Sequence, residues 1–245
     1  MPIDALVPKN APGFLEAGPL PAIAIHVSKL SPRQRLLHSA EKLFAEYGID
    51  AVGLRDIAAD AGFKNANSLT YHFGSKDNLV REVMLAGATD AENCGRQRLN
   101  ALHNNGTPMT VRSVIMVLCA PTLKQAVTPS YALLARQMML TQRDFFFTLL
   151  GDDLLLTVVL CHEMMRNLVD SVPPEIMDDR IRLFDLYFND FVATRHVHIG
   201  LGTDEGRWAS PMMIEHFLDT AEAVLTTPPS PDSLAATQAF ELGRD

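Results

Sequence analysis

The chain has 245 residues, of which 47% are hydrophobic and 20% charged, and it carries a net charge of −8. That length buries a large core in one elaborate domain or two modest ones, and the apolar fraction excludes wholesale disorder. The acidity excludes a chain coated in nucleic acid but leaves room for one local basic face. Cys94, Cys119 and Cys161 cannot all pair and lack metal-ligand spacing, which points to reduced thiols in the cytoplasm. No run approaches about 18 uninterrupted apolar residues, so no membrane span is expected. The stretch Leu20–Val27 is short and follows no basic segment, so it makes a poor secretory signal.

Residues 1–30 hold five prolines without periodicity and read as a flexible arm. From Lys29 to Arg81 there are eight Lys/Arg and six Asp/Glu, a surplus of +2 that leaves −10 for the rest and marks this stretch as a separate unit. Ser31-Pro32 signals an N-cap with proline at the first helical position. Leu36, Leu37, Ala40, Leu43, Phe44 and Tyr47 then recur at helical spacing up to Gly48. A second short helix fits Leu54–Ala61, and a third runs from about Asn65 to Gly74, too short to stand alone. Ser75 caps a long fourth helix that reaches Asn104, with Asp77 in its first turn. Further helices fit Met109–Gln125, Pro129–Thr141, Asp152–Asp170, Pro174–His198 and Trp208–Leu225, divided by Gly- and Pro-containing breaks. Strand signals are absent, so the expected fold class is all-α. Thr226–Pro231 is a Pro-rich break, and the tail to Asp245 is short enough for one helix at most.

Three short helices followed by a capped long one form the pattern that presents a recognition helix to DNA. Lys64-Asn-Ala-Asn-Ser-Leu-Thr-Tyr71 suits the groove-facing element. Asn65, Asn67, Ser68 and Thr70 offer hydrogen-bonding groups for base edges and phosphates, while Leu69 and Phe73 can face inward. A polar surface helix with no ligand is the competing reading of the same residues.

Residues 33–85 resemble the DNA-binding domain of TetR-type transcriptional regulators. The resemblance is carried by Ala40-Glu-Lys-Leu-Phe-Ala-Glu-Tyr-Gly48, Leu54-Arg-Asp-Ile-Ala-Ala-Asp-Ala-Gly62 and Tyr71-His-Phe-Gly-Ser-Lys-Asp-Asn-Leu79 in that order. It implies that Arg55 sits near the DNA backbone, that Lys64 through Thr70 line the major groove, and that Tyr71, His72 and Lys76 contact phosphates. The chain departs from the family at Gly53, where Ser or Thr often caps the second helix, and at Lys64, where a small hydroxyl residue is common. The implied organisation is a helix-turn-helix domain at 31–78, a helical effector-binding and dimerisation domain at 79–225, and a tail at 226–245.

The remainder supports part of that picture by itself. The helix over 174–198 is apolar beyond one stripe, and so is the helix from Trp208 to Leu225. Phe184, Tyr187, Phe188, Phe191, Met213 and Phe217 are the expected homodimer interface, with burial inside one chain as the alternative. Soft and aromatic residues on the middle helices suggest a pocket for a small apolar effector, with Met116, Cys119, Met138, Phe145, His162 and Met165 as candidates; at helical spacing they also read as plain core.

Enzyme patterns are missing. Cys161-His-Glu-Met-Met-Arg166 lacks the second His of a zinc protease helix, and His196-Val-His198 points its rings apart on a helix. No phosphate loop or nucleophile elbow is present, so no enzyme activity, metal or cofactor is expected. The expected protein is a dimeric transcriptional regulator, a repressor released from a near-palindromic double-stranded operator by its effector. An activator or effector-independent DNA binder of the same fold, or an all-α small-molecule-binding module, are the alternatives.

Overall fold

The computed structural model describes residues 30–106, 108–123, 127–201 and 204–242. The expected N-terminal arm lies almost wholly outside the described residues. Those that are described form ten α-helices and no strand. They are α1 (Pro32–Tyr47), α2 (Leu54–Asp60), α3 (Asn67–Phe73), α4 (Lys76–Asn104), α5 (Val111–Leu123), α6 (Pro129–Thr141), α7 (Arg143–Leu168), α8 (Pro174–Leu201), α9 (Pro211–Thr226) and α10 (Pro231–Leu242), with a 3-10 helix at Asp204–Ala209 before α9.

Local chemistry sets the starts of these helices. Ser31 and Gln34 form a reciprocal capping box at α1. Ser75 Oγ accepts from Asn78 N at 3.2 Å to open α4. Thr128 and Ser210 cap α6 and α9 in the same way, each followed by proline. Gly53 offers no side-chain cap to α2, but its N–H donates to Asp56 Oδ2 at 2.9 Å, so half of the box survives.

Packing divides the chain into two units, which follow separately. The first takes in the described residues up to 94 together with 121–156. Its core joins Leu36, Phe44, Ile57, Leu69, Phe73, Leu79 and Met84 to Tyr131, Leu134 and Met138 of α6 and to Phe146, Leu149 and Leu150 of α7. The three short helices therefore share one core with α6, a larger unit than the motif alone. Glu41 of α1 accepts a hydrogen bond from the Thr128 hydroxyl at the α6 N-terminus, and burial raises its pKa above the usual carboxylate range. Gly87 of α4 lets the Tyr131 ring come so close that a Cβ there would meet ring carbons at 2.1–2.5 Å.

The second unit holds the described residues of 95–120 and of 157–245. Phe184, Phe217, Ile115, Met165 and Ala221 are buried in it. Phe191 stacks on Phe217 with centroids 4.0 Å apart, and Arg112 of α5 binds Glu215, Asp219 and Glu222 on α9. α10 buries none of its residues.

Several element limits differ from the expected ones. The helix expected from Asp152 does start after Gly151, whose φ of 63° and ψ of 178°, a conformation essentially restricted to glycine, kinks α7 at that point; the addition is a helical segment from Arg143 up to the kink. The helix expected from Trp208 starts at Pro211, because Trp208 belongs to the 3-10 turn that precedes it. The helix expected over 109–125 is seen over Val111–Leu123. By length and composition α7 alone among the described helices could cross a membrane, with a mean hydropathy of 1.7. The Gly151 break, followed by Asp152 and Asp153, interrupts it, and Cys161 and Met165 of its second half are wholly buried.

Candidate nucleic-acid interface

α3 is held from beneath by Leu69 and Phe73, which are 1% and 5% exposed and belong to the core that Leu36, Phe44 and Ile57 share. With its inner face fixed, the helix turns Asn67, Thr70 and Tyr71 to solvent, and Tyr71 is 85% exposed. Ser68 and His72 are half-buried at the edges of this face. The His72 ring meets Tyr71 edge-on at 5.0 Å. Asn65 takes a role that composition alone conceals: its Oδ1 accepts from Asn67 N at 3.0 Å and so starts α3, where Ala66 has no side-chain cap. One of its hydrogen-bonding groups is thereby engaged.

The basic residues divide into two sets. Lys42 pairs with Asp60 at 2.9 Å, which raises the Lys42 pKa and lowers that of Asp60. Arg33 binds Glu82 and covers the Phe73 ring at 5.1 Å, and Arg35 covers Phe63 at 4.7 Å. These three side chains brace the domain. Arg55 on α2 and Lys64 in the turn before α3 are exposed and make no ion pair among the described residues. Lys76 is half-buried and donates to the Asp50 carbonyl at 3.4 Å, which leaves two of its three donors for another acceptor. The structure thus brings Arg55, Lys64, Asn67, Thr70 and Tyr71 to the surface of three consecutive elements: an exposed α3, a basic residue on α2 and one in the turn. This arrangement can place hydrogen-bond donors and acceptors in a major groove and cations on the flanking phosphates.

The residues expected to bind an effector do not all fall in one unit. Met138 lies in the core of the first unit, and Phe145, 40% exposed there, lies under the Arg81 guanidinium at 6.0 Å. Met116, Cys119, His162 and Met165 belong to the second unit, where all but His162 are buried. His162 Nε2 pairs with Asp185 Oδ1 of α8 at 3.0 Å. A cavity of about 260 Å³ opens among Tyr187, Asp190, Phe191, Trp208, Met213 and Phe217; Tyr187, Phe191, Met213 and Phe217 of these were expected at the interface. Of the expected interface residues, Phe184, Phe191 and Phe217 are buried in the chain's own unit, Phe188 and Met213 are half-buried and Tyr187 is exposed; Leu183 and Leu186 of α8 and Met212 of α9 are exposed as well. Apolar periodicity on several sides of a helix does not say which side faces inward.

The architecture defines the class: a helix-turn-helix unit of three short helices leading into a long one. Residues 36–83 match the family model of bacterial regulatory proteins of the tetR family, and the chain carries that family's N-terminal domain. It is similar to the HTH-type transcriptional repressor KstR2 of Mycolicibacterium smegmatis, with 44% identity over 54 residues, 22% of this chain and 26% of that protein. It is also similar to KstR2 of Rhodococcus jostii, with 45% identity over 56 residues, 23% of this chain and 27% of that protein. The matches span about a quarter of the length of these curated relatives.

Proposed function

We propose that the protein is a transcriptional regulator that binds a near-palindromic operator as a homodimer in the cytoplasm and acts as a repressor. The observation that carries this reading is the exposed polar face of α3, held by the buried Leu69 and Phe73, within the matched domain. Two matched relatives are named transcriptional repressors, which supports the sign of regulation. In this reading Asn67, Ser68 and Thr70 read base edges, while Arg55, Lys64, Tyr71, His72 and Lys76 hold the backbone. Asn65 contributes by fixing the start of α3. The exposed Leu183, Leu186 and Tyr187, which share one face of α8, and the exposed Met212 of α9 provide the partner surface, since large apolar side chains clustered in water commonly mark an interface.

A small effector held in the helical domain releases the operator by binding the DNA-free arrangement more tightly than the DNA-bound one. α4, 29 residues long, starts at Lys76 beside the DNA-facing surface and contributes residues to both packing units, which suits it to carry that difference. The test is selection of bound duplexes from a random library by the purified protein at a stated salt concentration. Recovery of a near-palindrome is expected; recovery of no motif would refute sequence-specific regulation.

A further inference from the structure

We infer that the effector is an apolar molecule bearing a single carboxylate, received by the Arg195 guanidinium and the His196 imidazole of α8. This inference rests on the effector reading above and names the ligand class.

Arg195 is 9% exposed and His196 5%. The buried Nε of Arg195 and Nε2 of His196 have no hydrogen-bond partner among the described residues. A guanidinium cannot shed its proton, so Arg195 stays charged wherever it is placed, and a buried arginine ordinarily sits against a carboxylate. Several carboxylates of this unit are engaged elsewhere: Asp185 with His162, Asp178 and Glu163 with Arg166, and Glu215, Asp219 and Glu222 with Arg112. The neighbour on which Arg195's charge acts is Cys119 of α5, and burial pushes that thiol's pKa up to about 12, so it supplies no counter-charge. Burial and the adjacent guanidinium push the His196 pKa down to about 4 and leave the ring neutral at pH 7. A neutral imidazole with hydrogen on Nε2 donates one hydrogen bond without adding charge.

The pair therefore presents a fixed charge of +1 and a neutral donor, which a carboxylate balances and a dianionic phosphate exceeds. Met116, three residues before Cys119 on α5, is also buried, so the Cys119 side of the site is apolar. Such a site favours an acid with a hydrocarbon body.

The first test needs no ligand. In the free protein Arg195→Met should raise the melting temperature, since it removes a buried charge with no carboxylate partner among the described residues. A lowered melting temperature would assign Arg195 to a structural pair and overturn the inference. The second test titrates octanoate, decanoate and cyclohexanecarboxylate, each beside its primary amide, into the full chain by calorimetry. At least one acid should bind ten times or more tighter than its amide, with that preference lost in Arg195→Met and kept in Arg195→Lys. Equal binding of acid and amide, binding that Arg195→Met leaves unchanged, or no binding by any acid would refute it. Operator release is measured separately. A neutral ligand that releases DNA while the acids fail keeps the effector reading and sinks this one. An acid that binds through Arg195 without altering DNA affinity does the reverse.

Discussion

Gly87 offers a sharp check on how α4 and α6 are joined. In most helices Gly→Ala stabilises by about 1 kcal/mol, because alanine gives up less backbone entropy. At Gly87 the new methyl carbon would fall 2.1 Å from Cδ2, 2.4 Å from Cγ and 2.5 Å from Cε2 of Tyr131. Ordinary carbon contacts lie near 3.5–4.0 Å, so the ring must retreat by roughly 1.5 Å. It has little room: Tyr131 is 8% exposed, and its backbone N–H donates to Thr128 Oγ1 at 3.0 Å, which fixes the main chain that carries the ring. Overpacking of this kind costs about 1–3 kcal/mol, so with the propensity gain deducted the variant should lose about 1–2 kcal/mol. Urea unfolding at pH 7 measures it, with Gly87→Ala repeated in a Tyr131→Ala background. There the clash is gone and the same change should be neutral or stabilising. A Gly87→Ala protein more stable than the parent, or an equal loss in both backgrounds, would show that the ring does not occupy this place.

Further outcomes follow from single contacts. His196 is neutral when folded, with a pKa near 4 against an ordinary 6.5, so stability should fall as pH drops from 6.5 toward 4. The loss reaches up to about 3 kcal/mol at pH 4, and His196→Phe should flatten it in a chemical-denaturation series. Glu41 runs the other way. Its raised pKa means the folded chain takes up a proton before the unfolded one, so this group favours folding as pH falls from 7, and Glu41→Gln should remove that trend. Lys76→Ala should weaken binding to all duplexes and lower the salt slope by about one, whereas Asn67→Ala should shift preference at one base position by about 1–3 kcal/mol in competition binding. Leu183→Glu with Leu186→Glu alters exposed positions, so the chain should stay folded but sediment as a monomer.

Features set by neighbours in sequence were legible in advance. Ser31 and Ser75 cap because a hydroxyl three residues from a helical N–H has little else to bind, and the Leu69/Phe73 spacing fixes the inner face of α3. The helix start after Gly151 was legible, whereas the segment from Arg143 to the Gly151 kink was not, since Gln142 rather than a capping Ser, Thr, Asp or Asn precedes it. The direction of Phe184 and Phe217 was equally hidden, since helices apolar on several sides leave the inward side to tertiary packing. The bond from Asn67 N to Asn65 Oδ1, which starts α3, is not evident from residue type and engages one of the groups that Asn65 could offer a base. Arg195 stands apart from other arginines only in the folded chain, where its Nε is buried without a partner among the described residues.

The engagement of Arg33, Arg35 and Lys42 within the domain bears on how the protein searches a chromosome. With Arg55, Lys64 and Lys76 left to meet phosphates, a dimer would neutralise about six, and its affinity for random duplex would fall with salt at a slope of roughly −5. A body with eight surplus negative charges per chain adds repulsion from any DNA it does not fit. If the protein acts as proposed, bulk chromosome is a shallower reservoir than for a regulator with more free cations, and operator occupancy would follow the concentration of free dimer more closely. In that regime a modest change in synthesis or turnover is felt directly at the promoter, with little buffering by the rest of the genome.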